Sequence, residues 1–177
     1  CKLLERVKLY SEKNYLKSAS IRENTGDTVN LCKVLINLAT LYRYKNENEK
    51  AENKLRKARI LTRGRKHQKE YANVIYNEAL VYLQQNKVKI AREKYIQSLD
   101  LRNKIGHQPD IGQSLSGLGY YFRHVGNYDS AASYYQKSLA LYLTMQDTFN
   151  ISNTLHYLGS LNFNFNYYEK ALKYYLE

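Results

Sequence analysis

Histidines and carboxylates are the side chains of this sequence that could catalyse a reaction or hold a metal. His67 and His107 are far apart along the chain, and they fall at equivalent positions of an internal repeat described below. Helix packing would keep such positions roughly 10 Å or more from each other, too far to share one metal. His124 and His156 have no nucleophile or carboxylate at a convincing catalytic spacing. Both pairs are therefore interpreted as isolated polar residues.

Sequence motifs that would bind a cofactor or activate a nucleophile are also missing. No phosphate-binding glycine loop, dinucleotide fingerprint, zinc signature or nucleophile elbow occurs in the 177 residues. We therefore expect no catalytic residue, no metal, no cofactor and no enzyme activity.

A basic stretch over residues 54–69 is the sharpest charge feature of the chain. Residues 1–70 hold 18 Lys and Arg against 8 Asp and Glu, whereas residues 71–177 hold 10 against 8. Phosphate contact is one interpretation, and its candidate anion-binding residues are Arg59, Arg63, Arg65, Lys66 and Lys69. A solvated outer helix face is the favoured interpretation, because no aromatic side chains interleave the charges for base stacking. Nucleic-acid binding stays a less favoured alternative.

The elements that must position any site are set by an internal repeat with a period of about 40 residues. Shifting the sequence by one period aligns Ala51, Ala91, Ala131 and Ala171 without a gap. Further columns are apolar, aromatic or small: Leu35, Ile75, Leu115 and Leu155; Leu55, Tyr95, Tyr135 and Tyr175; Ala39, Ala79, Gly119 and Gly159. Apolar positions recur within each unit at i, i+3, i+4 and i+7, which predicts helices. Short turns between them favour antiparallel pairs.

The repeat predicts a single domain over residues 1–177, with a partial repeat at 1–29 and repeats at 30–68, 69–108, 109–148 and 149–177, the last of which stops inside its second helix. A lone second helix is expected near residues 8–24, and helix pairs are expected to start near 30, 69, 109 and 149. Glycines expected to end second helices are Gly26, Gly64 and Gly106. Residues expected to cap the following first helices are Asp27, Asp110 and Asn150.

The segment GLGYYFRHVGNYDSAASYYQKSLAL at 117–141 resembles the tetratricopeptide repeat. The matching positions are Leu118, Gly119, Phe122, Gly126, Tyr128, Ala131 and Tyr135. The long period is similar to that of the repeats of kinesin light chains and of bacterial sensors and regulators. This resemblance implies an all-α, right-handed alpha-alpha superhelix of about four and a half repeats. It also implies a concave groove lined by the first helices.

Departures from the family pattern are local. Glu78 takes a position that is normally apolar, and we expect it to pair with a neighbouring Tyr or Lys. Asn46, Asn86 and Asn166 replace the glycine of the turn within each helix pair. Asparagine tolerates the left-handed conformation, so these three changes are expected to be mild.

First-helix residues outside the core of each helix pair are the expected protein- or peptide-binding residues. They are Lys33, Asn37, Arg43, Tyr44, Asn73, Tyr76, Asn77, Gln84, Gln113, Tyr120, Arg123, His124, Asn153 and His156. Amides bond the backbone of an extended peptide, and tyrosines pack on its apolar side chains. A scaffold that binds a protein or peptide is the predicted function. The alternative is the sensor or regulatory arm of a larger signalling or transcription-regulating protein.

Cellular setting and assembly are bounded only broadly by the sequence. No apolar run approaches the roughly 18 residues of a membrane helix, and no signal peptide is visible. The two cysteines, Cys1 and Cys32, form neither a disulfide framework nor a metal-ligand pattern, so a cytoplasmic location is expected. Tyr174, Tyr175 and Leu176 make an uncapped end. We expect the natural protein to continue, or two copies to associate through such ends.

Overall fold

The computed structural model describes residues 2–176, with the side chains of residues 11–64 and 66–176. In this part of the chain nine α-helices and one short 3-10 helix form, and no strand. The α-helices are α1 (Lys2–Thr25), α2 (Thr28–Tyr44), α3 (Asn48–Thr62), α4 (Gln68–Gln84), α5 (Val88–Ile105), α6 (Gln108–His124), α7 (Tyr128–Thr144), α8 (Thr148–Asn164) and α9 (Tyr168–Leu176). The 3-10 helix spans Arg65–His67. The predicted all-α fold is confirmed.

The helices group into two compact units, Cys1–Leu101 and Arg102–Glu177. We call them unit 1 and unit 2. Within unit 1, α2 packs against α1, α3 and α4, and α3 packs against α4. Within unit 2, α7 packs against both α6 and α8, and α8 packs against α9. Each unit is therefore a stack of consecutive helices joined by short turns.

First helices begin at Thr28, Gln68, Gln108 and Thr148, and these starts are one sequence period apart, like the repeat columns. The predicted starts were two residues late at the first position and one residue late at the others. The predicted start of α1 near residue 8 was wrong, because the helix begins at Lys2. Leu, Glu, Arg and Lys at residues 2–6 are strong helix formers, and the repeat columns do not reach them.

The turn within each helix pair places one residue in the left-handed region. Asn46, Asn86 and Asn166 have φ of 59°, 59° and 61°, and Gly126 at the equivalent position has φ of 79°. The expectation that asparagine can replace the turn glycine is confirmed. Asparagine reaches this conformation more easily than other residues with a side chain.

The turn after each second helix also requires a positive φ. Gly26 and Gly106 follow α1 and α5 with φ of 68° and 78°, and Gly64 follows the end of α3. The three predicted glycine stops are therefore confirmed. Gln146 takes the equivalent place after α7 with φ of 54°, although glutamine has no preference for this region.

Only one of the three predicted N-terminal caps is found, because the caps lie in the column of Asp27 and Asp147 and not in that of Asp110 and Asn150. Asp27 caps α2 as expected, since its carboxylate accepts from the backbone N–H of Asn30 at 3.2 Å. Asn150 was wrongly predicted as a cap: Asp147 accepts from the Asn150 backbone N–H at 3.1 Å. The Asn150 side chain donates back to Asp147 at 2.7 Å, so asparagine acts three residues inside the helix.

Asp110 was also wrongly predicted as a cap. His107 holds the cap position of α6 and makes no side-chain cap hydrogen bond. The Asp110 carboxylate lies 3.0 Å from Nδ1 of His107, within the first turn. A carboxylate in the first turn is favourable there because it faces the positive end of the helix dipole.

Small residues let the helices of a pair approach closely. A Cβ atom built on Gly119 of α6 would lie 2.6 Å from Cδ1 of Tyr135, whose ring is fully buried on α7. The core of unit 2 around this contact contains Ala131, Tyr135, Leu158 and Leu161. The core of unit 1 contains Leu31, Leu35, Leu38, Ala39, Ala51, Leu55, Ala58, Val74 and Val81. These cores hold the first helices, and therefore the candidate binding residues, in place.

Candidate peptide-binding faces

The predicted binding residues of unit 1 lie on two first helices that contact each other, α2 and α4. We call this set the unit-1 face: Lys33, Asn37, Arg43, Tyr44, Asn73, Tyr76, Asn77 and Gln84. Lys33, Asn37, Tyr44 and Gln84 are exposed, and the other members are half-buried. The set is therefore accessible to a ligand, and its half-buried members are Arg43 on α2 and Asn73, Tyr76 and Asn77 on α4.

The amide of Asn77 has a fixed orientation. Its Nδ2 donates to the backbone carbonyl of Asn73 at 2.8 Å, one turn earlier on α4. Because a carbonyl oxygen can only accept, the amide nitrogen must face the helix, and Oδ1 is left to accept a hydrogen bond. Asn77 thus presents an acceptor to an N–H group of a ligand.

Gln84 ties two repeats together. Its Nε2 donates to the backbone carbonyl of Arg43 at 2.9 Å and to Oδ1 of Asn46 at 2.7 Å. Both amide hydrogens are used by these bonds, so only its carbonyl oxygen remains for a ligand. The guanidinium of Arg43 stacks 4.5 Å from the ring centre of Tyr44. This contact orders an exposed aromatic surface at the C-terminal end of α2.

Tyr76 packs partly into its own helix pair. Its ring meets the buried Tyr95 ring edge-on, with centroids 5.6 Å apart and an interplanar angle of 74°. Sequence reasoning placed Tyr76 among residues that avoid the core of the pair. The structure shows a side chain shared between that core and the surface.

The predicted binding residues of unit 2 lie on α6 and α8. We call them the unit-2 face: Gln113, Tyr120, Arg123, His124, Asn153 and His156. Gln113, Tyr120, His124 and His156 are exposed. Arg123 lies 5.3 Å from the ring centre of Tyr120, and His156 lies 5.7 Å from that of Tyr175. The arginine-on-tyrosine arrangement of α2 therefore recurs on α6.

Arg102 is a buried residue behind this face that sequence reasoning missed. It stands at the end of α5, is only 2% exposed, and donates to Oε1 of Gln113 at 2.8 Å. Arg22, Thr62 and Tyr142 occupy its column in the other repeats. Because the column mixes arginine, threonine and tyrosine, the sequence offers no single chemical signal for Arg102.

The basic stretch over residues 54–69 is partly neutralised. Nε of Arg59 lies 3.5 Å from Glu78, and the Lys94 ammonium lies 2.6 Å from the other carboxylate oxygen of Glu78. The expectation that Glu78 pairs with a neighbouring Tyr or Lys is confirmed. The charge of Arg59 is thus partly neutralised by Glu78, while 40% of the Arg59 side chain stays exposed.

Other cations of this stretch differ in their surroundings. Lys57 pairs with Glu23 of α1 at 2.6 Å, which favours the solvated-face interpretation. Arg63, Lys66 and Lys69 are exposed around the 3-10 helix, and the side chain of Arg65 lies outside the described residues. Anion binding by these residues stays a prediction.

A half-buried ionic cluster joins α1 to α2 at the turn edge of unit 1. Glu12 accepts from the Lys45 ammonium at 2.7 Å and from the Tyr42 hydroxyl at 2.9 Å. The Lys45 hydrogen bond holds the pKa of Glu12 below its ordinary value. Burial, reinforced by the Glu12 carboxylate, raises the pKa of Tyr42 to about 12. The cluster therefore stabilises the packing of α1 on α2.

An aromatic edge in unit 2 was also missed by sequence reasoning. Tyr128, at the start of α7, meets Phe165 edge-on with ring centroids 4.3 Å apart. Phe165 also stacks on Tyr167 at 6.1 Å. A cavity of about 150 Å³ lies beside these rings, lined also by Asp129, Ala132, Leu161 and Asn162. At the equivalent places of unit 1, Lys45 and Glu47 form an ion pair instead.

Within the described residues, no three His, Cys, Asp or Glu side chains converge on a point that could hold a metal ion. None of the helices described is long and apolar enough to cross a membrane.

Part of the repeat array matches a known protein family. Residues 70–144, which cover α4 to α7, match the tetratricopeptide repeat family. This part of the chain consists of tetratricopeptide repeats. The match spans less than half of the 177 residues, and the repeat columns extend the same pattern to both sides.

Solved structures with the same fold cover almost the whole chain. A Rap protein complexed with competence and sporulation factor is 13% identical with a TM-score of 0.85, over 98% of this chain and 49% of that one. The signal transduction ATPase (STAND) protein with a tetratricopeptide repeat sensor from Pyrococcus horikoshii is 23% identical with a TM-score of 0.73, over 90% and 25%. A kinesin-light-chain-like repeat protein from Podosopora anserina is 14% identical with a TM-score of 0.67, over 98% and 88%.

These likenesses confirm the tetratricopeptide-like fold and the resemblance to kinesin-light-chain and sensor repeats. At such low identity they show the fold alone. The chain spans about half the length of the Rap protein and a quarter of the signal transduction ATPase. Among curated protein sequences, none matches this chain.

Proposed function

We propose that the chain is a protein- or peptide-binding scaffold that acts through the unit-1 face and the unit-2 face. The observation that carries the proposal is the fixed polarity of the amides on these faces. Asn77 offers an acceptor because its nitrogen is bound to the Asn73 carbonyl at 2.8 Å. An extended peptide, with unpaired backbone donors and acceptors along its length, is the ligand that such a surface suits.

Ordered aromatic side chains supply the apolar part of the surface. Tyr44 and Tyr120 are exposed, and each is stacked against a neighbouring arginine, Arg43 or Arg123. A tyrosine held in this way offers a large contact area at a small cost in side-chain entropy. The arginines add donors that a peptide carbonyl or carboxylate can accept from.

The structural relatives support a binding role. The Rap protein of similar fold was crystallised as a complex with competence and sporulation factor. The protein from Pyrococcus horikoshii contains its tetratricopeptide repeats as a sensor. One of these proteins binds a partner and the other uses its repeats as a sensor, and the chain shares their fold over at least 90% of its length.

The test compares partner capture by two matched triple variants. Asn37→Ala/Asn77→Ala/Tyr120→Ala removes two amides and a tyrosine from the two faces. Gln97→Ala/Asn103→Ala/Tyr168→Ala removes the same group types from exposed positions on second helices. Each protein is used to capture partners from native lysate, with and without nuclease, after circular dichroism has shown equal helix content.

A nuclease-resistant protein retained by wild type and by the second-helix variant, but lost by the face variant, supports the proposal. Nucleic acid recovered with all three proteins, with partners that disappear after nuclease, contradicts it. That result would favour the basic stretch, and reversal of Arg63, Lys66 and Lys69 would then abolish capture.

A regulatory role within a longer protein is the second candidate, favoured by the tetratricopeptide sensor of the Pyrococcus horikoshii protein. In that case the faces would bind a signal and the result would be passed to an output module. The gene sequence around the codons for residues 1–177 tests this directly. A DNA-binding or kinase module in the same reading frame supports it, and a reading frame without one contradicts it.

A further inference from the structure

Arg102 is a buried cation of unit 2 that contacts Gln113, an exposed residue of the unit-2 face. Its guanidinium donates at 2.8 Å to the Asp110 backbone carbonyl, to Oγ of Ser114 and to Oε1 of Gln113. Ser114 is fully buried, whereas Gln113 is an exposed member of the unit-2 face. One end of the guanidinium therefore serves the interior and the other end holds a candidate binding residue.

Chemistry alone decides how Gln113 is oriented. A guanidinium group has only donors, so the partner in Gln113 must be its carbonyl oxygen. The amide nitrogen is then directed away from Arg102, and it makes no hydrogen bond within the described part of unit 2. The positively charged guanidinium beside Oε1 also polarises the Gln113 amide. This polarisation strengthens the outward N–H groups as hydrogen-bond donors.

We propose that Arg102 is a positioning residue that fixes Gln113 as a hydrogen-bond donor to a backbone carbonyl of an extended peptide. The inference rests on the proposed function, and it specifies that unit 2 binds a hydrogen-bond acceptor of the peptide at Gln113. Lys33, Asn73 and Asn153 stand at the position of Gln113 in the other repeats. Asn153, which lies in the same unit as Gln113, also carries a nitrogen donor, so an acceptor on the ligand fits both positions of unit 2.

Gln113→Glu tests the donor. The carboxylate keeps the shape and pairs with Arg102, but it presents only oxygens to the ligand. The probe is a twelve-residue peptide selected from a random display library against the whole chain and made with blocked ends. We expect the affinity of the variant for the probe peptide, measured by calorimetry, to fall about tenfold or more. The reason is that the backbone carbonyl of the peptide then faces the carboxylate of the new glutamate. The melting temperature should not fall.

Gln136→Glu is the matched control. Gln136 is exposed on α7 of the same unit, so this variant makes the same charge change away from the unit-2 face. Its affinity for the probe peptide should equal that of wild type. An equal loss in both variants would show a general charge effect and would overturn the proposal.

Arg102→Met and Ser114→Ala separate positioning from stability. Both remove buried hydrogen bonds, but only Arg102→Met frees the amide of Gln113. We expect Arg102→Met alone to weaken probe binding several-fold and to move the side-chain amide NMR signals of Gln113 toward those of free glutamine. Gln113→Glu should cost less affinity in the Arg102→Met background than in wild type.

If Arg102→Met fails to fold, the NMR signals of the Gln113 amide in the wild-type protein still test the proposal. Gln113 amide signals at free-glutamine positions in wild type would overturn the inference. Backbone NMR shifts also locate the probe peptide. A peptide bound away from α6 and α8 overturns the proposed function of unit 2 together with this inference. A peptide bound on the unit-2 face with unchanged affinity for Gln113→Glu overturns the inference alone.

Discussion

Replacing Gly119 by alanine tests whether close approach of α6 and α7 requires a glycine. The new Cβ atom would lie 2.6 Å from Cδ1 and 3.0 Å from Cγ of Tyr135, at the root of a ring that is fully buried. Because the ring is buried, it can relieve this contact only by a small rotation about χ1 or by a shift of the α7 backbone. Overpacking of this kind costs about 1–3 kcal/mol.

Helix propensity opposes this cost, since alanine is favoured over glycine in a helix by about 1 kcal/mol. The second repeat carries Ala79 and Tyr95 in these columns, so some tilt of the ring is available. We therefore expect Gly119→Ala to lower the free energy of unfolding by about 1 kcal/mol, measured by urea denaturation monitored by circular dichroism.

A double-mutant cycle isolates the contact between the two residues. The first repeat pairs Ala39 with Leu55 in the same columns, and both are buried there. In a Tyr135→Leu background, Gly119→Ala should be neutral or stabilising, which gives a coupling of about 1 kcal/mol or more. Stabilisation by Gly119→Ala in the wild-type background, with no coupling to Tyr135, would refute the steric argument.

Three further predictions concern turns, caps and pH. Gln146→Gly should raise the urea midpoint, because a φ of 54° costs glutamine about 1 kcal/mol, and unchanged stability would contradict this. Asn127→Ala should lower the free energy of unfolding by about 1 kcal/mol through loss of the 3.1 Å cap to Ser130, whereas Asn127→Ser should not. Stability should fall as the pH falls below about 4.5, since the depressed pKa of Glu12 makes the unfolded chain bind more protons. Glu12→Gln should flatten that part of the pH profile of the urea midpoint, and an identical slope in both proteins would argue against the Lys45 pairing.

The fold could be predicted from the sequence because its periodicity is strong at two levels. Columns such as that of Ala51 and Ala131 recur in every repeat, and apolar residues within each repeat recur at helical spacing. The first-helix starts were therefore right to within two residues. The caps were less predictable, since Asp147 and Asn150 are both good cap residues and lie three positions apart. Only the hydrogen-bond direction distinguishes them.

The candidate faces could be predicted only as helix surfaces. Periodicity identifies which residues leave the core, but it does not say what else they touch. Gln84 was predicted as a binding residue, yet its amide hydrogens are used to join two repeats. Tyr76 was predicted at the surface, yet its ring packs edge-on against Tyr95. Such contacts depend on residues one helix or one repeat away, which the local pattern does not contain.

Arg102 illustrates that the contacts between helices, which the local sequence pattern does not contain, are also the contacts that determine ligand specificity. Its column holds arginine, threonine, arginine and tyrosine, so no single chemical type marks it as functional. Once the helices are packed, a guanidinium at 2.8 Å from Gln113 decides that this amide donates, while the backbone carbonyl of Asn73 decides that Asn77 can accept. The repeated columns thus encode the helical fold. Residues that differ between repeats, such as Arg102, determine whether the amides of each face donate or accept hydrogen bonds. Ligand choice in such a repeat protein should therefore change with buried substitutions at positions like Arg102, even when the exposed residues stay the same.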